Sequence, residues 1–225
     1  MKPNLRLITP IAIVIGTLGI GSFAIANLRI DRPPTATLAQ NGMNHDGMNH
    51  GGMMNHQMDI GPADANYDLR FIDSMLPHHQ GALVMAQEAI QKSKRPELVK
   101  FAKNIITEQK QEIAQMQQWR KQWYPQVAAT PMMWHPEGNH EMPMTTAHQQ
   151  SMMMSMSLGK ADAGFDRRFL AAMIPHHQGA VTMAQDSLAK SKRPELQKLA
   201  RNIITSQQSE IARMQQWQQK WYAAK

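Results

Sequence analysis

Met75-Leu76-Pro77-His78-His79-Gln80-Gly81-Ala82 brings a thioether, a proline and two adjacent imidazoles into one short stretch, and Met173-Ile174-Pro175-His176-His177-Gln178-Gly179-Ala180 repeats it 98 positions later. Thioether sulfur and imidazole nitrogen are ligands for soft transition metals, and the chain has no Cys, so any soft donor must be Met. The same two residue types are concentrated in two further places. Met43, His45, Met48, His50, Met53, Met54, His56 and Met58 form a first tract, and Met132, Met133, His135, His140, Met142, Met144, His148, Met152, Met153, Met154 and Met156 form a second. Together they hold 13 of the 20 methionines. Glycines and prolines run through both, so the tracts are expected to be flexible, with no core for a methionine to fill. Met and His without Cys then point to capture of Cu(I) or Ag(I); scavenging of oxidants by Met is the alternative.

The elements that must position these side chains come in duplicate. Residues 66–124 align without gaps on 164–222, and each copy reads as a helical hairpin. Apolar periodicity predicts helices from about Asp64 to Lys92 and from Pro96 to Tyr124, then from Asp162 to Lys190 and from Pro194 to Tyr222, with the prolines after each turn suited to a helix start. On the first helix, Asp68, Phe71, Ile72, Met75, Leu76, His78, His79, Ala82, Leu83, Met85, Ala86, Ala89 and Ile90 gather on one half, with Asp73, Ser74, Gln80, Gln87 and Glu88 opposite. No strand alternation of useful length is evident. Two hairpins with apolar faces are expected to pack into an all-α, antiparallel four-helix bundle. Pro77 and Pro175 fall inside the first helix of each copy, where a kink, or a helix that starts at the proline, would follow. Trp119, Trp123, Trp217 and Trp221 read as caps of the core.

In an antiparallel hairpin turning near residues 93–96, Met75, His78 and His79 fall level with Gln109, Glu112 and Met116. Met75 and His79 are neighbours at i, i+4 spacing. The candidate metal site is therefore Met75, His79, Glu112 and Met116 with His78 at the rim, repeated as Met173, His177, Glu210 and Met214 with His176. Two thioethers and an imidazole suit Cu(I), while the carboxylate and second imidazole help hold Cu(II). A buried imidazole hydrogen-bonded to Glu112 or Gln109 accounts for the same residues without a metal, since buried polar groups need partners.

Lys2 and Arg6 precede an apolar run from Leu7 to Leu28, the pattern of an export signal or an uncleaved anchor. Ala24-Ile25-Ala26 offers a small-residue cleavage pattern and Thr37-Leu38-Ala39 a second. Either way the remainder is expected to face the periplasm, a lumen or the exterior, touching a membrane only through an uncleaved N-terminal segment. The organisation is thus 1–39 signal or anchor plus spacer, 40–61 first tract, 62–124 first hairpin, 125–161 Met/His-rich linker and 162–225 second hairpin. The formal charge is +7, but the N-terminal basic residues carry much of it. The surplus left reads as a solvated face, so nucleic acid is not an expected partner.

The pattern Asp68, Phe71, Met75 to Ala82, Met85, Gln109, Glu112-Ile113, Met116 and Trp119, with its second copy from Asp166, resembles the bacterial domain-of-unknown-function family 305. The resemblance implies a four-helix, ferritin-like bundle and periplasmic copper binding connected with copper resistance and export, which makes a copper efflux system or another copper carrier a candidate partner. It assigns no individual ligand. The expected function is a non-catalytic buffer or carrier of Cu(I) and Cu(II), with Ag(I) as a surrogate. A metal oxidase is the competing reading, but each copy has one central carboxylate where di-iron chemistry needs several. A purely structural stress-response bundle is the third.

Overall fold

A computed structural model describes residues 58–223. The chain divides into two units, 1–46 and 47–225, and all described residues belong to the second. The N-terminal signal or anchor and the tract residues Met43, His45, Met48, His50, Met53, Met54 and His56 lie outside the described residues. None of the described helices is long and apolar enough to cross a membrane.

The described chain is predominantly helical. It contains α1 (Tyr67–Lys92), α2 (Pro96–Trp123), β1 (Met132–His135), β2 (His140–Pro143), α3 (Thr146–Met153), α4 (Phe165–Lys190) and α5 (Pro194–Tyr222). Pro96 and Pro194 open α2 and α5, where a missing N–H costs nothing. Asp68 and Asp166 lie in the first turns of α1 and α4, and Lys92 and Lys190 in the last, each sign suited to the helix dipole. Both helices run unbroken through Pro77 and Pro175, so neither begins at its proline.

α1 and α4 start three residues later than the periodicity predicts, because Asp64 and Asp162 are used otherwise. Their carboxylates accept from the amides of Asn66 (3.0 Å) and Gly164 (2.9 Å), local turns that compete with helix. They also pair with Arg70 and Arg168. These arginines pin the chain ahead of each helix: Arg70 Nε donates to Ile60 O at 2.8 Å and Arg168 Nε to Leu158 O at 2.6 Å. Lys190 donates to Gly61 O and Lys92 to Gly159 O, both at 2.8 Å, so each hairpin holds the entry segment of the other. The turns cross over in the same way. Arg95 pairs with Asp166 and stands over the Trp221 ring at 4.2 Å, while Arg193 pairs with Asp68 and stands over Trp123 at 4.3 Å. The tryptophans stack in pairs, 119 on 123 and 217 on 221, with centroids 5.0 Å apart. They act as platforms for the opposite hairpin's arginine as well as caps.

Two apolar clusters form the core. One joins Ala82, Met85, Ala86 and Ala89 of α1 to Phe165, Phe169, Leu170 and Met173 of α4; the other joins Tyr67, Phe71, Ile72 and Met75 of α1 to Ala180, Met183 and Ala184 of α4. The four histidines lie where each helix passes from one cluster to the other.

The linker departs from the all-α expectation. Met132 pairs with Pro143, Met133 with Met142, Trp134 with Glu141 and His135 with His140 in an antiparallel hairpin. Its turn runs through Pro136, Glu137 and Gly138 to Asn139 at φ 49°. Asn tolerates that left-handed conformation, and Pro with Gly suits a turn. A two-stranded ribbon is marginal by itself, so docking sustains it. Arg70 pairs with Glu141 at 2.8 Å, the Trp134 ring lies 5.2 Å from the Arg70 guanidinium, and Met132 N donates to Asp73 Oδ2 at 2.8 Å. Thr145 then caps α3 by accepting from His148 N. Asp73, expected on the polar side of α1, is consequently buried under the linker, and Ser74, expected on the same side, is buried as well.

Candidate metal centre

At mid-height of α1 and α4 the two copies place four imidazoles together. His79 Nε2 lies 2.7 Å from Glu112 Oε2 and His177 Nε2 lies 2.8 Å from Glu210 Oε2. The numbering rule for an antiparallel hairpin therefore located these partners correctly. His78 and His176 stack between the pairs, ring centroids 3.9 Å apart and tilted by 43°. His78 was expected at the rim but is fully buried. The helical wheel of one hairpin contains no information about α4, and it is α4 that brings His176 onto this ring.

Met75 and Met116 are fully buried in one apolar cluster, and Met173 and Met214 in the other. Among the described residues, no group of three or more His, Asp or Glu side chains is arranged to hold a metal ion. The ring–carboxylate pairs are thus hydrogen-bonded units.

The layer is rich in unpaired atoms. His78 Nδ1 and Nε2, the Nδ1 atoms of His79, His176 and His177, both amide atoms of Gln109 and the Oε1 of Gln207 are buried without a hydrogen-bond partner. Such atoms are rare in folded proteins and call for a reason. Burial holds the His78 imidazole well below the usual histidine range, with His176, His79 and His177 adding to the effect. Burial likewise pushes His176 down to about 3, against the opposing hydrogen bonds from its ring to Met153 O and His78 O. Both rings are neutral at pH 7.

This has a measurable consequence for the metal-free protein. The unfolded chain takes up protons on these two residues near pH 6.5, while native His176 resists until about pH 3. Between those values the unfolded state binds more protons, so stability is full above pH 6.5 and is lost as pH falls through the window. The expected slope is about 1.4 kcal/mol per pH unit for each residue. Urea midpoints between pH 7 and 4 should show it, and His176→Asn should flatten the profile by one residue's share.

Glu112 and Glu210 reach the surface, with side chains 16% and 13% exposed. Glu112 lines a groove of about 420 Å³ with Glu108, Gln111, Gln115, Leu199, Asn202 and Ser206. Burial, then Glu210 and Glu112, raise the Glu108 carboxyl above its ordinary range.

A second set of donors lies on the β-hairpin. Cross-strand partners share a face and alternate residues face opposite ways. Met133, Met142, His135 and His140 therefore occupy one face, and Trp134 and Glu141 turn to Arg70 on the other. The His135 and His140 centroids are 5.3 Å apart. His140 Nδ1 donates to Gly138 O at 3.0 Å, which leaves its Nε2 lone pair free, and Gly138 N donates to His135 Nδ1 at 2.9 Å. Met132 is half-buried on the opposite face from Met133, and Met144 is only 2% exposed and packs inward. The structure thus sorts a tract that composition treats as uniform.

Residues that sequence reasoning overlooked hold this arrangement. Arg120 grips Asp73 through Nε and NH2 and also donates to Ala128 O and Thr130 O. The signal was available, because Asp73 and Arg120 break the repeat, standing where the second copy has Ala171 and Gln218.

A family model described as "Domain of unknown function (DUF305)" matches residues 68–218. CopM in its Cu(II)-bound form is 42% identical, with a TM-score of 0.56 over 69% of this chain and 97% of that one. CopM in its Cu(I)-bound form is 38% identical, with a TM-score of 0.54 over 69% and 98%. A DUF305 fragment from Deinococcus radiodurans is 30% identical, with a TM-score of 0.53 over 68% and 95%. Uncharacterized protein L153 of Acanthamoeba polyphaga mimivirus is 45% identical over 49 residues, 22% of this chain and 32% of that protein. The chain therefore spans about a third of that relative. The Pro-His-His motifs, the paired glutamates and nearly all of the helices that carry them fall within the matched span, and the chain belongs to the DUF305 family.

Proposed function

We propose that this protein is a non-catalytic carrier or buffer of copper, taking Cu(I), Cu(II) and the surrogate Ag(I) as cargo. In this reading it is exported to the periplasm and supports copper tolerance, with a copper efflux system or another carrier as recipient. Its two hairpins would form one four-helix bundle that arose by duplication. The observation that carries the reading is the hairpin face with two thioethers and two imidazoles, a neutral donor set suited to Cu(I) and able to accept Cu(II) through nitrogen. CopM, similar in sequence and fold, has been solved in Cu(II)-, Cu(I)- and Ag-bound forms. The buried histidine layer, with Met75, Met116, Met173 and Met214 on its flanks, is the proposed second destination.

Anaerobic competition against a chromophoric Cu(I) chelator tests this. The wild-type protein is expected to withdraw Cu(I) from the chelator, and a variant with Met133, His135, His140 and Met142 all replaced by Ala should lose at least one equivalent. A wild-type protein that leaves the chelator saturated would end the proposal.

A further inference from the structure

Gly138, in the turn of the β-hairpin, holds both of the imidazoles on its face and holds them in different ways. Its carbonyl accepts from His140 Nδ1 at 3.0 Å, and its amide donates to His135 Nδ1 at 2.9 Å. A carbonyl only accepts and an amide N–H only donates, so the two neutral rings carry their protons on opposite nitrogens. His140 is protonated at Nδ1 and presents an Nε2 lone pair. His135 is protonated at Nε2, and its lone pair is occupied by the Gly138 amide. The contact needs glycine: a Cβ at 138 would stand 2.5 Å from His140 Nδ1 and 2.6 Å from His135 Nδ1, so a side chain there would push both rings away. Met133 opposite Met142 and His135 opposite His140 share one face of the ribbon. Solvent reaches all four side chains, with His140 exposed and the others partly so. Three donors of this face are therefore ready for a metal, the two thioethers and His140 Nε2, and the fourth is held back.

We propose that the Gly138 amide sorts metals by the ligands it releases. A soft monovalent ion, Cu(I) or Ag(I), is taken by Met133, Met142 and His140 while His135 stays on Gly138; a divalent ion, Cu(II) or Zn(II), takes both imidazoles and breaks the Gly138–His135 hydrogen bond. Two sulfurs and one nitrogen satisfy a soft ion, whereas Cu(II) and Zn(II) favour imidazole over thioether. For His135 to bind through Nε2, the ring proton must pass to Nδ1, where it meets the Gly138 amide hydrogen head-on. Binding through Nδ1 displaces that hydrogen directly. Either route loses the same bond and releases no net proton. The bond is neutral and exposed, so holding His135 back weakens divalent binding by about fivefold to tenfold. The inference rests on the copper reading above and adds to it which donors of the hairpin face serve which ion.

The test uses the full chain labelled at methionine methyl carbon and histidine nitrogen, titrated with Ag(I) in one series and in the other with Zn(II), the diamagnetic substitute for Cu(II). Before metal, the ring-nitrogen shifts of His135 and His140 are expected to report opposite tautomers. Ag(I) should move the Met133 and Met142 methyls and His140 Nε2 together and leave His135 and the Gly138 amide unmoved. Zn(II) should move both rings and the Gly138 amide. His135→Gln should leave Ag(I) binding at this face within about twofold of wild type and weaken Zn(II) binding by about tenfold or more, while His140→Gln weakens both. If His135 moves with Ag(I), or if this face is silent while other methionines and histidines shift, the proposal is overturned and the copper reading stands. If no methionine or histidine resonance moves with either metal, both fall.

Discussion

Gly81→Ala is expected to destabilise the protein by about 3 kcal/mol, while Gly179→Ala, the same change one repeat later, should cost less than about 1 kcal/mol. Alanine ordinarily favours a helix over glycine, so the sign at position 81 is set by its surroundings. A Cβ at Gly81 would stand 1.7 Å from Met153 O and 2.7 Å from Met153 C, both backbone atoms at the end of α3. The helix end must move away, which withdraws the carbonyl from His176 and uncovers Met152, now 4% exposed. At Gly179 the nearest atom is Met58 Cε at 2.7 Å, the far end of a flexible side chain that can swing aside. Urea denaturation of the two variants measures the contrast, and hydrogen exchange across 146–153 shows whether α3 is the part released. Equal effects at both positions would mean that α3 does not rest on α1 in this way.

Arg120→Ala should be comparably severe, with a loss of about 3 kcal/mol and release of the β-hairpin from α1. The Asp73 side chain is 1% exposed, and Arg120 supplies two of its hydrogen bonds. Burial already pushes the Asp73 carboxyl above its ordinary range, against Arg120 and the Met132 amide, which pull it down. Without the guanidinium the charge is stranded and the carboxyl rises further. A raised folded value means that stability is present at low pH and is lost as pH rises through it. The deficit of Arg120→Ala should therefore shrink as pH falls toward the carboxylate range, with Asp73 protonating in place. Denaturant midpoints of both proteins across pH 4–7 test this; a deficit that does not change with pH would mean that Asp73 is not the stranded group. Linker release should also weaken the copper binding proposed above, since the face carrying Met133, His135, His140 and Met142 exists only while the ribbon is docked.

Local features of the chain carried much of the fold. The prolines at 96 and 194 and the lysines at 92 and 190 mark helix ends within a residue or so, because capping chemistry acts over one turn. The His79–Glu112 and His177–Glu210 pairs were readable too, since both partners lie on one hairpin whose short turn sets their register. The linker was misread for an opposite reason. Its Met and His content dominated the reading, while the Pro136-Glu137-Gly138-Asn139 turn and the alternation of residues 132–135 are weak signals in a ribbon that cannot stand unsupported. Its support comes from Arg70 and Asp73, distant in the chain, and from Arg120 at the end of the preceding helix.

Sequence alone, then, determined the recurrence of the Pro-His-His motif, the ends of α1 and α4 and the starts of α2 and α5, the ring–carboxylate pairs and a donor set restricted to sulfur, nitrogen and oxygen without thiolate, because each depends on residue identity or on spacing along one helix or hairpin. Tertiary packing decided where the two similar segments part company. It buried His78 against His176, closed Gly81 with a carbonyl and Gly179 with a thioether, and divided the linker's methionines between buried and partly exposed positions. A repeat encodes the same local instructions twice, and only the single linker, which lies against α1 and leaves Ala171 of α4 exposed, makes their surroundings differ.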